Sequence, residues 1–388
     1  MSRALKVAVI AGEESGDLLA ADLVQALKIQ SGREVDVIGV GGRHLAELGM
    51  KSIFPANDIA LMGLSAVVRD LPRLVSRIGL AARTISEQKP DCLVTVDSPE
   101  FNLRVAAKVR AANPSIPIVH YVCPSVWAWR PGRAAAMRPN VDRVLCILPF
   151  EASELERLGG PAGTYVGHRL AHDPDVLRAA AAQAAKHSIS SVAPKTLLLL
   201  PGSRKGEVRA LMDPFLETVE VLRSRGRKLN LLLPTVPNTE DLVSSHIEKW
   251  PQQPQILKGA EAKWNAFAQA DAALIASGTV SLELALCGVP TVSTYKLDPF
   301  ARMLRGLVTA WSACLPNLIA DRTIVPECIE DLLRPKYMAR YLEALLDETA
   351  FRQWQIDGFS EVGKRMRTSR PSGEIAADAV LSVIAEKK

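Results

Sequence analysis

The chain has 388 residues, 48% hydrophobic and 23% charged, with a formal net charge of +5. That length exceeds what one hydrophobic core usually spans, so two domains are expected, and the composition excludes a largely disordered protein. The mild positive charge is spread without dense Lys/Arg blocks, which argues against a nucleic-acid partner and suits an anionic surface. Six cysteines at 92, 123, 146, 287, 314 and 328 lie far apart with no C-x-x-C pair, which argues against a disulfide framework or a structural zinc site and for a reducing cytoplasm.

The first segment, MSRALKVAVIAGEESGD, holds an apolar run too short for a signal sequence and reads as a strand over 7–11. No run of about 18 apolar residues follows anywhere, so no membrane span is expected. The loop AGEESGD places Glu13 at the carboxyl edge of that strand, with Ser15 or Asp17 as helix N-cap or as ligand. A second strand over 35–40 runs into Gly39-Val40-Gly41-Gly42, which lacks the full G-x-G-x-x-G fingerprint, so no nicotinamide cofactor is expected. From 61 to 83 apolar residues recur at helical spacing while Arg69, Arg73 and Arg77 fall four apart. Such a stretch is either a core-facing helix with a solvated edge or a basic amphipathic helix that adsorbs to an anionic membrane.

A strand over 92–97, CLVTVD, ends in Asp97, a candidate general base or else a cap for the helix starting near Pro99, with Asn102 as a supporting hydrogen-bond partner. The strand over 116–122 leads into HYVCPSVWAWRPGR, which carries His120, Trp127, Trp129, Arg130 and Arg133. Tryptophans alternating with small residues and followed by arginines suit either core packing or a surface for sugar, acyl chain and phosphate. A strand over 144–148 completes the first half. A polar stretch at 187–194 marks the boundary, giving domains of 1–185 and 186–366, with a final helix of about 367–388 expected to return to the first.

In the second half, strands are expected over 196–200, 229–233, 272–276 and 291–295, alternating with helical periodicity as in βαβ units. The turn LLLLPGSRKGE presents Ser203, Arg204 and Lys205 before a helix. The turn SGTVSLELALCGVP presents Gly278 and Thr279 at a helix start and Glu283 about one turn in, where a carboxylate meets sugar hydroxyls. Two turns with exposed N–H groups at positive helix ends point to a nucleotide diphosphate. A second basic amphipathic stretch at 300–315 carries Arg302, Arg305 and Trp311, and from Pro335 onward the pattern is helical. Asp173-Pro174-Asp175 has a D-x-D spacing but reads as a helix cap.

The ordered set AGEESGD, VTVDSPEFN, HYVCPSVWAWR, LPFE, VGH, LLPGSRKGEV, SGTVSLELALCGVP and LPNLIAD resembles the lipid-A-disaccharide synthase family over nearly the whole chain. The Glu283 segment recurs in many GT-B nucleotide-sugar transferases, whereas PSVWAWR and its place in the order are specific to this family. The tryptophan loop argues against a relative of the lipid II-forming transferase or of UDP-N-acetylglucosamine 2-epimerase. The resemblance implies a GT-B fold, two doubly wound Rossmann-like domains facing across a cleft, with an N-terminal acceptor domain and a C-terminal UDP-sugar domain. It implies inverting transfer of 2,3-diacylglucosamine from its UDP derivative onto 2,3-diacylglucosamine 1-phosphate, to a β-1,6-linked disaccharide, with no cofactor and no metal. Asp97 is then the expected base with Glu13 in reserve. Ser203, Arg204, Gly278, Thr279, Glu283 and Asn317 are expected at the donor, and Ser15, Asp17, Asn102, Trp127, Trp129 and Arg130 at the acceptor or its lipid. Arg69, Arg73, Arg77, Arg302 and Arg305 are expected to meet the cytoplasmic face of the inner membrane, because two acyl chains keep such substrates in a bilayer.

Overall fold

Two parallel six-stranded sheets organise the chain in a computed structural model that describes residues 3–59, 71–186, 194–297, 302 and 305–387. Each sheet belongs to one of two units, Met1–Arg169 with Thr368–Lys388, and Leu170–Arg367.

The first unit alternates strands β1 (Leu5–Ala11), β2 (Val35–Val40), β3 (Cys92–Val96), β4 (Ile118–Tyr121), β5 (Arg143–Cys146) and β6 (Ala162–Tyr165) with helices. The helices are α1 (Glu14–Ser31), α2 (Arg43–Glu47), α3 (Leu71–Gln88), α4 (Pro99–Ala112), α5 (Gly132–Met137) and α6 (Glu151–Arg157). The strand order is β2-β1-β3-β4-β5-β6, all parallel. Strands covered on both faces read as continuous apolar runs, and β1 and β3 are buried along nearly their whole length. Val7 and Val9 face one way, toward Leu23 and Leu27 of α1, whereas Ala8 and Ile10 face Ile78 and Ile85 of α3 and Val105 of α4. Gly39 is required by close approach: a Cβ there would stand 1.9 Å from the Val9 carbonyl oxygen. This glycine cluster therefore serves strand packing.

The second unit comprises α7 (Pro174–Ala184), β7 (Lys195–Leu200), α8 (Lys205–Ser224), β8 (Leu229–Thr235), α9 (Glu240–Ile247), β9 (Gln255–Lys258), α10 (Ala260–Gln269), β10 (Ala272–Ala276), α11 (Thr279–Cys287), β11 (Thr291–Tyr295), α12 (Leu315–Ala320), β12 (Glu327–Ile329), α13 (Pro335–Leu346) and α14 (Ala350–Met366). Its order is β12-β11-β10-β7-β8-β9. Leu197 and Leu199 pack on Phe215 of α8 and Leu342 of α13, while Leu198 and Leu200 join Phe267 of α10 and Leu284 of α11.

The unit boundary and the edge strands differ from the sequence reading, whereas the path of the last helix does not. The unit boundary lies at 169/170 and not at 185/186, because Val176 and Ala179 of α7 are buried in the second core with Leu198 and Ile275. After α14 the chain returns as α15 (Ser372–Glu386), whose Val380 and Val383 pack in the first core beside α1. Strands β6, β9 and β12 were not foreseen; all three are sheet edges of three or four residues, and β6 and β9 have no fully buried position to create an apolar run.

Candidate active site

Each sheet has one point where the strand order reverses, and ligands of doubly wound sheets bind outside the carboxyl ends of the strands there. In the first unit that point lies between β1 and β3, which pair through Ala11 and Val96. Glu13 and Asp97 follow those two strand ends directly. Glu13 is the N-cap residue of α1, so Ser15 and Asp17 fall in the helix's first turn and neither is its cap.

Asp97 and Ser98 both hold left-handed backbone, φ 52° and 43°, and Val122 beyond β4 has φ 73°. Such angles are costly for non-glycine residues, most of all for a β-branched one, and cluster at functional edges when the surroundings enforce them. The enforcement is visible. Asp97 donates its N–H to the Tyr121 carbonyl at 2.9 Å. The buried Asn102 donates from Nδ2 to the Val96 and Asp97 carbonyls at 3.0 and 2.7 Å. Asn102, expected among the acceptor ligands, thus shapes the turn that presents Asp97, while its buried Oδ1 has no hydrogen-bond partner. Burial raises the Asp97 carboxyl above its ordinary value, and the Ser98 N–H draws it partly back.

The tryptophan loop stands beside this edge. Trp127 meets Phe150 edge-on at 5.2 Å and donates its indole N–H to Glu151 at 3.4 Å. Glu151, 2% exposed, also accepts the N–H groups of Ile147 and Leu148, each at 3.0 Å. Its pKa is pushed up to about 7 by burial, against the pull of those N–H groups. The Arg130 guanidinium lies 4.2 Å from the Trp129 ring centre and donates to Glu100 at 2.9 Å. Glu100 also pairs with Arg133, and with Arg104 at 3.7 Å, so one carboxylate gathers three arginines. His120 is fully buried in β4, its Nδ1 2.7 Å from Thr95 Oγ1 and its Nε2 unpartnered; burial, reinforced by Arg133, lowers its pKa to about 4. It is a neutral core histidine at pH 7.

Two predicted ligands have other work. Asp17 is 2% exposed, and its two oxygens accept the Gly42 and His44 N–H groups at 2.7 and 2.8 Å, so it caps α2 and leaves no oxygen facing outward. Asn317 is fully buried: its Oδ1 accepts from the Ile324 and Val325 N–H groups at 2.7 and 2.8 Å, and its Nδ2 faces Ser312, Val325 and Glu327. It fastens the loop before β12.

In the second unit the order reverses between β7 and β10, paired through Leu200 and Ile275, and the two anion-ready turns follow these ends. Gly278 and Thr279 are exposed at the start of α11, which no side chain caps. Glu283 pairs with Lys263 at 2.6 Å, and that ammonium lies 4.3 Å from the Trp264 ring centre. At the other turn, Glu207 accepts the Ser203 and Arg204 N–H groups at 3.2 and 3.3 Å and the Arg204 guanidinium at 3.1 Å. Gly202 has φ 111°, and a Cβ there would stand 2.3 Å from the Glu207 carboxylate. Glu207 thus already holds the N–H groups expected for a diphosphate. Its place three residues after Arg204, as in a capping box, was the available signal. Lys263, Glu100 and Glu151 carried no such spacing.

Of the residues expected at a membrane, Arg73 and Arg77 both pair with Asp58, Arg77 at 2.8 Å, and Arg302 pairs with Glu330 at 2.6 Å. Arg69 and the Arg305 side chain lie outside the described residues. Asp173 accepts the Asp175 N–H at 2.9 Å as the cap of α7, so the D-x-D there is a helix start. A hollow of about 1000 Å³ in the second unit, lined among others by Leu177, Lys186, Arg352 and Phe359, contains none of the expected site residues.

The family model described as lipid-A-disaccharide synthetase matches residues 7–378. The lipid-A-disaccharide synthase of Rhodopseudomonas palustris (strain HaA2) is 45% identical over 97% of this chain and 95% of its own length. That of Nitrobacter winogradskyi is 41% identical over 99% and 96%. Among solved structures, Acinetobacter baumannii MurG superposes with a TM-score of 0.58 at 14% identity, covering 98% of this chain and all of its own. The glycotransferase of kitacinnamycin gives a TM-score of 0.61 at 15% identity over 98% and 100%. These likenesses show the GT-B fold. With a family model and relatives that span nearly the whole sequence, the chain belongs to the lipid-A-disaccharide synthetase family.

Proposed function

We propose that the chain transfers 2,3-diacylglucosamine from its UDP derivative to 2,3-diacylglucosamine 1-phosphate, inverting the anomeric carbon and releasing UDP. The carrying observation is the pair of carboxylates, Glu13 and Asp97, placed at the reversal point of the first sheet beside a strained, pinned turn. Asp97 takes the proton of the acceptor's 6-hydroxyl as its oxygen bonds to the donor's anomeric carbon and the bond to the diphosphate breaks. Glu13 is the alternative base. The first unit thereby holds the acceptor, with Ser15, Trp127, Trp129 and Arg130 around its sugar, phosphate or acyl chains. The second unit holds UDP. The open start of α11 at Gly278 and Thr279, with the Arg204 turn on the adjacent strand, receives the diphosphate, each charge-assisted bond contributing about 1.5–3 kcal/mol. Arg204 exchanges Glu207 for phosphate, and Glu283, held by Lys263, receives the ribose hydroxyls.

Replacement of a positioned general base typically costs about 10²–10⁴-fold in rate. Asp97→Asn is expected to lower kcat within that range while the KM for the UDP donor holds within threefold. Because burial raises the Asp97 carboxyl, wild-type activity is expected to fall on the acid side sooner than an ordinary carboxylate would allow. Turnover of Asp97→Asn equal to wild type would remove Asp97 from this role.

The substrates bring the protein to the cytoplasmic face of the inner membrane, since each buried acyl CH₂ favours lipid by about 0.8 kcal/mol. Exposed Val75 and Leu80 on α3, and Leu307, Val308 and Trp311, supply apolar contact beside the Arg73, Arg77 and Arg302 cations.

A further inference from the structure

Cys123, Cys146 and Glu151 are far from a metal-binding spacing in sequence, yet the fold gathers them. Cys123 lies two residues beyond β4, Cys146 ends β5, and Glu151 begins α6. Their two sulfurs and one carboxylate oxygen all lie within 4.8 Å of one another, the one such convergence of His, Cys, Asp or Glu among the described residues. All three are buried, at 5%, 0% and 2% exposure. The Glu151 carboxylate meets only neutral donors, the N–H groups of Ile147, Leu148 and Trp127, and forms no ion pair among the described residues. A buried carboxylate of this kind lacks a counter-charge. The seat is also strained: Val122, immediately before Cys123, holds φ 73°. The backbone of β6 closes one side, where a Cβ on Gly163 would stand 3.2 Å from the Cys146 sulfur.

We propose that Cys123, Cys146 and Glu151 bind one thiophilic divalent cation of the zinc and cadmium class, which ties the tryptophan loop to the end of β5. Two thiolates and a carboxylate are a soft-to-borderline donor set suited to such ions. Bonds of about 2.3 Å to sulfur and about 2.1 Å to oxygen place tetrahedral ligand atoms roughly 3.6–3.8 Å apart, inside the 4.8 Å within which the three atoms lie. On binding, each thiol gives its proton to solvent and its sulfur lone pair to the ion, so two protons leave per ion from the thiols, the Glu151 proton leaves as well wherever that carboxyl is still protonated, and an external ligand completes the fourth position. The Trp127 indole N–H on Glu151 then acts as an outer hydrogen bond that orients the carboxylate. None of the three ligands is assigned a part in the transferase chemistry proposed above, although Trp127, placed there at the acceptor, donates a hydrogen bond to Glu151.

The test uses the full chain, reduced with a phosphine, freed of metal by a chelator and equilibrated overnight with cadmium ions alone. The expected result is one cadmium per chain by equilibrium dialysis, with ultraviolet thiolate-to-cadmium absorption and at least two protons released. Cys123→Ser and Cys146→Ser are each expected to lose that absorption, and Glu151→Gln to keep it with affinity weakened tenfold or more. Circular dichroism checks each fold, and either serine variant alone suffices if the other does not fold. No cadmium–thiolate absorption in the wild type, or equal absorption in a folded serine variant, overturns the proposal.

Discussion

Left-handed backbone at Asp97, Ser98 and Val122 persists because buried hydrogen bonds over-determine it, from Asn102 beneath the first turn and from the Val122 N–H to Leu145 at 3.0 Å. Burial sets the protonation of neighbouring side chains. His120, with its pKa lowered to about 4, is neutral when folded but protonates near 6.5 when unfolded. Its contribution to stability is therefore present above pH 6.5 and is lost as pH falls from there toward 4, by up to about 3 kcal/mol. Asp97 and Glu151, whose carboxyls burial raises, contribute with the opposite sign, so the comparison must be with a variant. The unfolding free energy of wild type minus that of His120→Gln is expected to shrink steadily between pH 6.5 and 4.5. A difference constant across that range contradicts a buried neutral His120. Sequence alone does not place His120 in the core, because nothing in it records that Thr95 sits beside it on the next strand.

Between elements, short polar links do what the sequence reading assigned to ligands. Asp17 reaches from α1 to the start of α2, and removing its carboxylate leaves two N–H groups without their acceptor. Asp17→Ala is expected to cost roughly 2–4 kcal/mol in urea unfolding, with an unchanged m-value. A loss under about 0.5 kcal/mol would mean that the link carries little. Central strands were legible as apolar runs because they are covered on both faces, and the edge strands β6, β9 and β12 were not because they are short and partly exposed. The turns after β1, β3, β7 and β10 were legible for the same reason: apolar runs located the strand ends, and the polar residues just past them followed. Asn317, expected at the donor only from the resemblance, has its polarity turned inward toward backbone and side chains around β12, which a sequence does not record.

At the scale of the whole molecule, no described helix is long and apolar enough to cross a membrane, and the lipid contact proposed here is one of surface residues. Phosphatidylglycerol-rich vesicles are expected to carry the protein in flotation, less so as salt rises and less for Leu307→Ser with Trp311→Ser. Equal flotation with neutral phosphatidylcholine vesicles, indifferent to salt, contradicts an electrostatic and apolar contact. The chemistry itself is tested by incubating the purified chain in detergent with UDP-2,3-diacylglucosamine, 2,3-diacylglucosamine 1-phosphate and EDTA, and identifying products by mass spectrometry. The account predicts UDP and a β-1,6-linked tetraacyl disaccharide 1-phosphate in equal amounts. Hydrolysis of the donor to UDP without disaccharide, or no UDP at all with Mg²⁺ restored, would contradict it.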